Sequence, residues 1–173
     1  LVGKNMTTIQ RKICLLGDFA VGKTSLVRRY VEGRYDDRYL STIGVKISRR
    51  VLARSYGDLN LLVWDLAGSK EFSSQAAYLR GAAGALIVCD LTRFETLASL
   101  ERYAGQVRGV NGNVPLVFVA NKSDLPAERA IADPDLQNAC AALGGPLLLT
   151  SAKTGENVEA AFVQLADFLD QKP

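Results

Sequence analysis

A chain of 173 residues that is 48% hydrophobic and 23% charged fits one domain and can bury a core without disulfides or a structural metal. Its formal charge of +3 is too mild, and its Lys and Arg too dispersed, to point to nucleic acid. The chain has no histidine, which excludes a His-based triad and a His-ligated zinc site. No apolar stretch reaches membrane-spanning length and no signal-peptide pattern is read, so no intrinsic membrane anchor is expected.

Leu1 to Asn5, ahead of Met6, read as an expression remnant, and the domain is taken as residues 6–173. The apolar run Ile13-Cys14-Leu15-Leu16 predicts a buried parallel strand. A helix is predicted from Gly22 to about Glu32, and polar Gly33 to Ile43 reads as a long surface loop. Gly44 to Arg54 and Asp58 to Leu66 flank Ser55-Tyr56-Gly57, a hairpin signal that predicts one antiparallel edge. The short apolar runs Ala85–Cys89, Leu116–Ala120 and Leu147–Leu149 suit central parallel strands covered on both faces. Between and after them, helices are predicted near Thr96–Val107, Asp135–Leu143 and Val158–Leu169, with Pro134 well placed at a helix start. The alternation predicts an α/β fold: a doubly wound sheet of about six strands, helices on both faces, ligands beyond the strand C-termini. Cys14, Cys89 and Cys140 lie far apart in sequence and read as buried reduced thiols, which suits a cytoplasmic protein.

The strongest local signal follows the first strand. Gly17-Asp18-Phe19-Ala20-Val21-Gly22-Lys23-Thr24 fits G-x-x-x-x-G-K-[ST]. Two glycines let successive N–H groups face one concavity, which favours an anion. Lys23 adds a charge for β/γ-phosphates, the Thr24 hydroxyl suits a hard cation such as Mg²⁺, and the helix dipole points at the phosphates. Asp65-Leu66-Ala67-Gly68 follows another strand. Its carboxylate suits a Mg²⁺-bound water and Gly68 a phosphate oxygen, although a capped turn also accounts for the pattern. Asn121-Lys122-Ser123-Asp124 ends the next apolar run. A fixed carboxylate there accepts from guanine N1 and N2, donors that adenine lacks on that edge. Ser151-Ala152-Lys153 follows Leu147–Thr150 and is weak in isolation.

Together these segments, with Ser41-Thr42-Ile43-Gly44-Val45 and Tyr78-Leu79-Arg80-Gly81-Ala82, resemble a Ras-superfamily small GTPase of the Rab branch over roughly Gln10 to Asp170. The resemblance implies a GTP/GDP- and Mg²⁺-dependent switch that hydrolyses GTP. Phosphate contacts would come from Gly17, Ala20, Val21, Gly22, Lys23, Thr24 and Ser25 in the loop and from Gly68. Thr24 and Thr42 would coordinate Mg²⁺ directly, and Asp65 through water. Asn121, Lys122 and Asp124 would bind guanine, with Ser151, Ala152 and Lys153 behind the base and the Ala152 N–H on its oxygen. Tyr35 would pack against the guanine, or else cover an exposed core edge, and Tyr39 would close over the γ-phosphate. Lys23, Thr42, Gly68 and the residue after it form the catalytic set. The loops Arg34–Ser41 and Lys70–Tyr78 would meet effector, exchange-factor and GTPase-activating proteins, the chain itself being a monomer.

Three departures from the family pattern bear on mechanism. Ser69 stands where the family usually has the Gln that orients the attacking water. Phe19 stands in the loop where a small residue is usual. Its ring either crowds the γ-phosphate edge or folds outward. Both changes predict slow hydrolysis, with a hydrolysis-deficient nucleotide-loaded scaffold as the alternative. Third, the sequence stops at the last predicted helix without the prenylated cysteines usual in the branch, which leaves truncation and absence of lipidation both open.

Overall fold

The computed structural model of the chain describes residues 6–37, 42, 44–68 and 72–170, with residues 72–74 described by backbone alone. The expectations on Tyr39, Ser69 and residues 1–5 lie outside the described residues. In chain order the elements are β1 (Thr7–Gly17), α1 (Lys23–Glu32), β2 (Val45–Arg54), β3 (Gly57–Leu66), α2 (Phe72–Leu79), β4 (Ala82–Asp90), α3 (Glu95–Asn111), β5 (Leu116–Asn121), α4 (Asp133–Leu143), β6 (Leu147–Leu149) and α5 (Val158–Asp170). A single 3-10 turn, Pro126–Glu128, separates β5 from α4.

The strands make one six-stranded sheet in the order β2-β3-β1-β4-β5-β6. Only β2 runs antiparallel, paired along its length with β3 through the predicted hairpin. The other pairings are parallel. Strand periodicity divides the core in two. Ile13 and Leu15 of β1 enter a cluster with α1 and α5, while Cys14 and Leu16 enter the opposite cluster with α3 and α4. The apolar face of α5 packs as its spacing predicts: Val158, Ala161, Phe162, Leu165 and Leu169 are all buried. Phe162 stacks on Tyr30 of α1 at 4.0 Å between ring centroids, a burial worth about 2 kcal/mol for the ring. Arg54 at the hairpin reaches Asp167 and Asp170 of α5, both at 2.8 Å.

Two expectations needed correction. Lys70–Tyr78, read as a loop, contains α2 from Phe72 onward. A helix of two turns is too short to be stable on its own. Packing holds it instead: Leu79 is fully buried and the Gln75 Nε2 donates to the Ala67 carbonyl. The helix expected near Thr96–Val107 also runs four residues further, to Asn111, although Gly109 disfavours helix there. Asn111 extends it by donating to the Leu79 and Val107 carbonyls at 2.8 and 3.2 Å.

Candidate nucleotide site

Strand β1 ends in Gly17 and α1 begins at Lys23, so the glycine motif forms the link between them. Its two invariant-pattern glycines are needed for different reasons. A Cβ on Gly17 would lie 2.4 Å from the Val88 carbonyl of the neighbouring strand. Gly22 has φ +102°, and a Cβ there would lie 2.3 Å from Asn121 Nδ2. Ala20, between them, holds a left-handed φ of 61°. Lys23 is only 6% exposed. Its Nζ donates to the carbonyls of Gly17 at 2.8 Å and Asp18 at 3.1 Å. Burial pulls its pKa down to about 8, against the opposing pull of Asp65 and Asp18. The loop, with Ser25, Tyr35, Thr42 and Gly68, borders a cavity of about 400 Å³. The α1 N-terminus opens onto this cavity, and its unpaired N–H groups and dipole favour an anion there.

Three oxygen-bearing side chains from separate elements meet beside Lys23. Thr24 Oγ1 donates to Asp65 Oδ2 at 2.6 Å and lies 2.6 Å from Thr42 Oγ1, which donates to the same Oδ2 at 3.2 Å. Asp65 is 1% exposed and its Oδ1 has no hydrogen-bond partner. Burial raises its pKa, only partly offset by the Thr24 bond and Lys23. Two hydroxyls and one carboxylate with an unsatisfied oxygen suit a hard cation that keeps several waters and phosphate oxygens, as Mg²⁺ does. Gly68 follows on the same segment. A Cβ there would come within 2.5 Å of the Phe19 nitrogen, so only glycine lets these two loops touch. Phe19 is 57% exposed and borders the cavity.

A second cavity of about 170 Å³ adjoins the first and shares Gly22, Ser25, Tyr35 and Lys122 with it. Asn121, Asp124, Leu125, Ala152 and Lys153 complete its wall. Asn121 Nδ2 donates to the Val21 carbonyl at 3.0 Å, tying the glycine loop to β5. Its Oδ1 accepts from Thr150 Oγ1 at 3.1 Å and from the Ala152 N–H at 3.2 Å. Ser151 Oγ donates to Asp124 Oδ1 at 2.7 Å and accepts from the Thr154 N–H, which fixes the carboxylate. Lys122 adopts φ 72° and sends its Nζ to Asp90 Oδ2 at 2.7 Å. All the described site candidates therefore border two joined cavities or sit directly behind their walls.

Sequence reasoning missed the residues that brace this site. Asp18 accepts from Ser99 Oγ at 2.6 Å, Tyr103 Oη at 2.9 Å and Arg102 at 3.1 Å, fastening the glycine loop to α3. Arg29 of α1 donates to the carbonyls of Ala152, at 2.8 Å, and Lys153. Asp90 is fully buried at the end of β4, in register with Asn121 at the end of β5. The rule that polar residues at strand ends serve the site would have found Asp90 as it found Asn121. The others carry no local signal.

A model of the Ras family matches residues 12–171. The chain is 36% identical over 157 residues to the GTP-binding protein YPTM2 of Zea mays, covering 90% of this chain and 77% of that protein. It is 34% identical over 163 residues to the Ras-related protein RABD1 of Arabidopsis thaliana, covering 93% and 80%. The Ras-related protein RABD2b of Arabidopsis thaliana is 34% identical over 156 residues, covering 89% and 77%. Joined phosphate-type and base-type cavities on this sheet thus have their explanation: the chain belongs to the Ras family of small GTPases, with Rab-type relatives, which implies a GTP-binding molecular switch that takes guanine nucleotide and Mg²⁺.

Proposed function

We propose that residues 6–173 act as one switch domain that hydrolyses GTP slowly and recruits effectors in its GTP form. One observation carries the reading: Thr42, from the segment ahead of β2, meets Thr24 and the buried Asp65 within hydrogen-bond distance. A segment that reaches the metal-type oxygens is one whose order depends on what occupies them, the arrangement a γ-phosphate switch needs. Thr24 and Thr42 would hold Mg²⁺ directly and Asp65 through water. Bound there, the ion supplies charge neutralisation on the phosphates.

The chain's own groups do the rest. Lys23 exchanges the Gly17 and Asp18 carbonyls for β/γ-oxygens. The N–H groups of the glycine loop and of Gly68 face the phosphates. Asp124, held by Ser151, accepts from the guanine N1 and N2, while Tyr35 covers the base. Slow turnover is supported by Ser69, too short to orient water as a Gln does, and by Phe19 on the rim where an activating protein's arginine would enter. Effectors and exchange factors would read the segments 34–41 and 70–78.

Two measurements test this reading. Denaturing the purified protein should release guanine nucleotide. Single-turnover GTP hydrolysis should be slow and should accelerate in Ser69→Gln. Released adenine nucleotide, or no guanine-nucleotide affinity, overturns the switch. An unchanged rate in Ser69→Gln shows that Ser69 is not the limitation. Hydrolysis below detection in both proteins favours the nucleotide-loaded scaffold, to which Phe19 at the rim would also contribute.

A further inference from the structure

We propose that Arg93 is a positioning residue for the phosphate-binding loop: it holds the Phe19 carbonyl outward and thereby turns the Ala20 N–H toward the phosphates. The inference rests on the nucleotide reading of the larger cavity. Arg93 lies between β4 and α3 in a turn whose backbone is fixed. Its N–H donates to the Asp90 carbonyl at 3.0 Å, and its own carbonyl accepts from the Thr96 N–H at 3.2 Å and Oγ1 at 2.7 Å. The side chain therefore leaves from a rigid base.

The guanidinium then joins two elements. Its Nε donates to Asp90 Oδ2 at 3.1 Å, and an Nη donates to the Phe19 carbonyl at 2.5 Å. A planar fork bonded at two points has its orientation set. Asp90 is itself immobile, being fully buried and bonded to the Thr92 N–H, Thr92 Oγ1 and Lys122 Nζ. Because Lys122 shares this carboxylate, the phosphate loop and the guanine motif are anchored on one buried group.

The consequence follows from peptide geometry. The described chain has no cis peptide bond. In a trans peptide the carbonyl and the next residue's N–H point in opposite directions. With the Phe19 carbonyl turned to Arg93, which does not border the cavity, the Ala20 N–H is directed to the side on which Phe19 and Ala20 line it. Ala20 needs the help. Its φ of 61° is disfavoured for a residue with a Cβ, and rotation of the 19–20 peptide would relieve it. A charged donor on the carbonyl opposes that rotation.

The test compares GDP with GMP, in Mg²⁺, by displacement of fluorescent GDP from the full chain and from Arg93→Ala and Arg93→Gln. An inward Ala20 N–H serves the outer phosphates, which GMP lacks. Arg93→Ala should weaken GDP about tenfold more than GMP, equivalent to about 1.4 kcal/mol. Arg93→Gln retains an N–H donor for the Phe19 carbonyl and should fall between. Equal weakening of GDP and GMP would mean a purely structural role and overturn the proposal, as would no change in either. If Arg93→Ala does not fold, the same comparison on Arg93→Gln decides. A parent chain that binds neither nucleotide overturns the nucleotide reading itself, an outcome distinct from a parent that binds GDP while the variants leave the GDP-to-GMP ratio unchanged.

Discussion

Replacing Asn121 tests whether the guanine motif and the phosphate loop are one mechanical unit. The side chain is 2% exposed and makes three hydrogen bonds: Nδ2 to the Val21 carbonyl, and Oδ1 from Thr150 Oγ1 and the Ala152 N–H. Asn121→Ala leaves all three partners without it. Val21 and Thr150 are fully buried and Ala152 is 4% exposed, so water reaches them poorly. At about 1 kcal/mol each, the low end for a buried group left unsatisfied, the loss is about 3 kcal/mol. In a domain of this length that lowers Tm by about 6–12 °C. Asn121→Asp is the sharper variant. It keeps Oδ1 for Thr150 and Ala152 but sets a second oxygen against the Val21 carbonyl, where Nδ2 now sits at 3.0 Å. It also adds a buried charge. Despite its near-identical shape, Asn121→Asp should therefore be destabilised at neutral pH at least as much as Asn121→Ala. Urea unfolding over a series of GDP concentrations, extrapolated to zero GDP, measures both, because bound nucleotide itself stabilises the fold and the variants bind it less tightly. A loss under 1 kcal/mol for Asn121→Ala, or a milder effect for Asn121→Asp, would refute the reasoning.

Further outcomes follow from other groups. Asp90 would be raised by burial, but Lys122 and Thr92 outweigh that and hold its pKa below the ordinary 3.8. A depressed folded pKa contributes stability that is present above the unfolded value and lost as pH falls through the folded one. Asp90→Asn should thus be less stable than the parent at neutral pH, with the gap narrowing below the ordinary carboxylate range; urea titrations at both ends of that span check it. Asp65→Asn should speed GDP release in Mg²⁺ and make release insensitive to a chelator that accelerates it in the parent, as read by fluorescent GDP. Burial pushes the Cys14 and Cys89 thiols up to about 12 and Cys140 to about 11. A thiol reagent should label none of the three cysteines in the native protein and all of them after unfolding.

Most of the fold was legible because its signals are local. Short all-apolar runs mark strands covered on both faces, as Leu116–Ala120 does in β5, where every residue is buried. Turn residues at 55–57 mark the hairpin. Helix α2 was illegible because two turns are too short to be stable alone or to show a clear apolar period, and what holds it are the buried Leu79 and the bond from Gln75 to Ala67. The site divides in the same way. Lys23, Thr24, Asp65, Asn121 and Asp124 stand in short patterns at strand ends. Asp18 reveals nothing by itself: Ser99, Arg102 and Tyr103, which fix it, come from a helix more than 80 positions away in sequence.

The order of residues alone thus determined the ligand chemistry, since a glycine-rich link, a lysine and a strand-end carboxylate each dictate a partner within a few residues of chain. Tertiary structure alone decided how those pieces are held. It placed Phe19 at the border of the cavity, set its carbonyl against Arg93, and brought Thr42 to Asp65. Such choices depend on which side chains from distant elements share a dielectric and a hydrogen-bond partner, and that pairing exists only once the sheet has closed around the site.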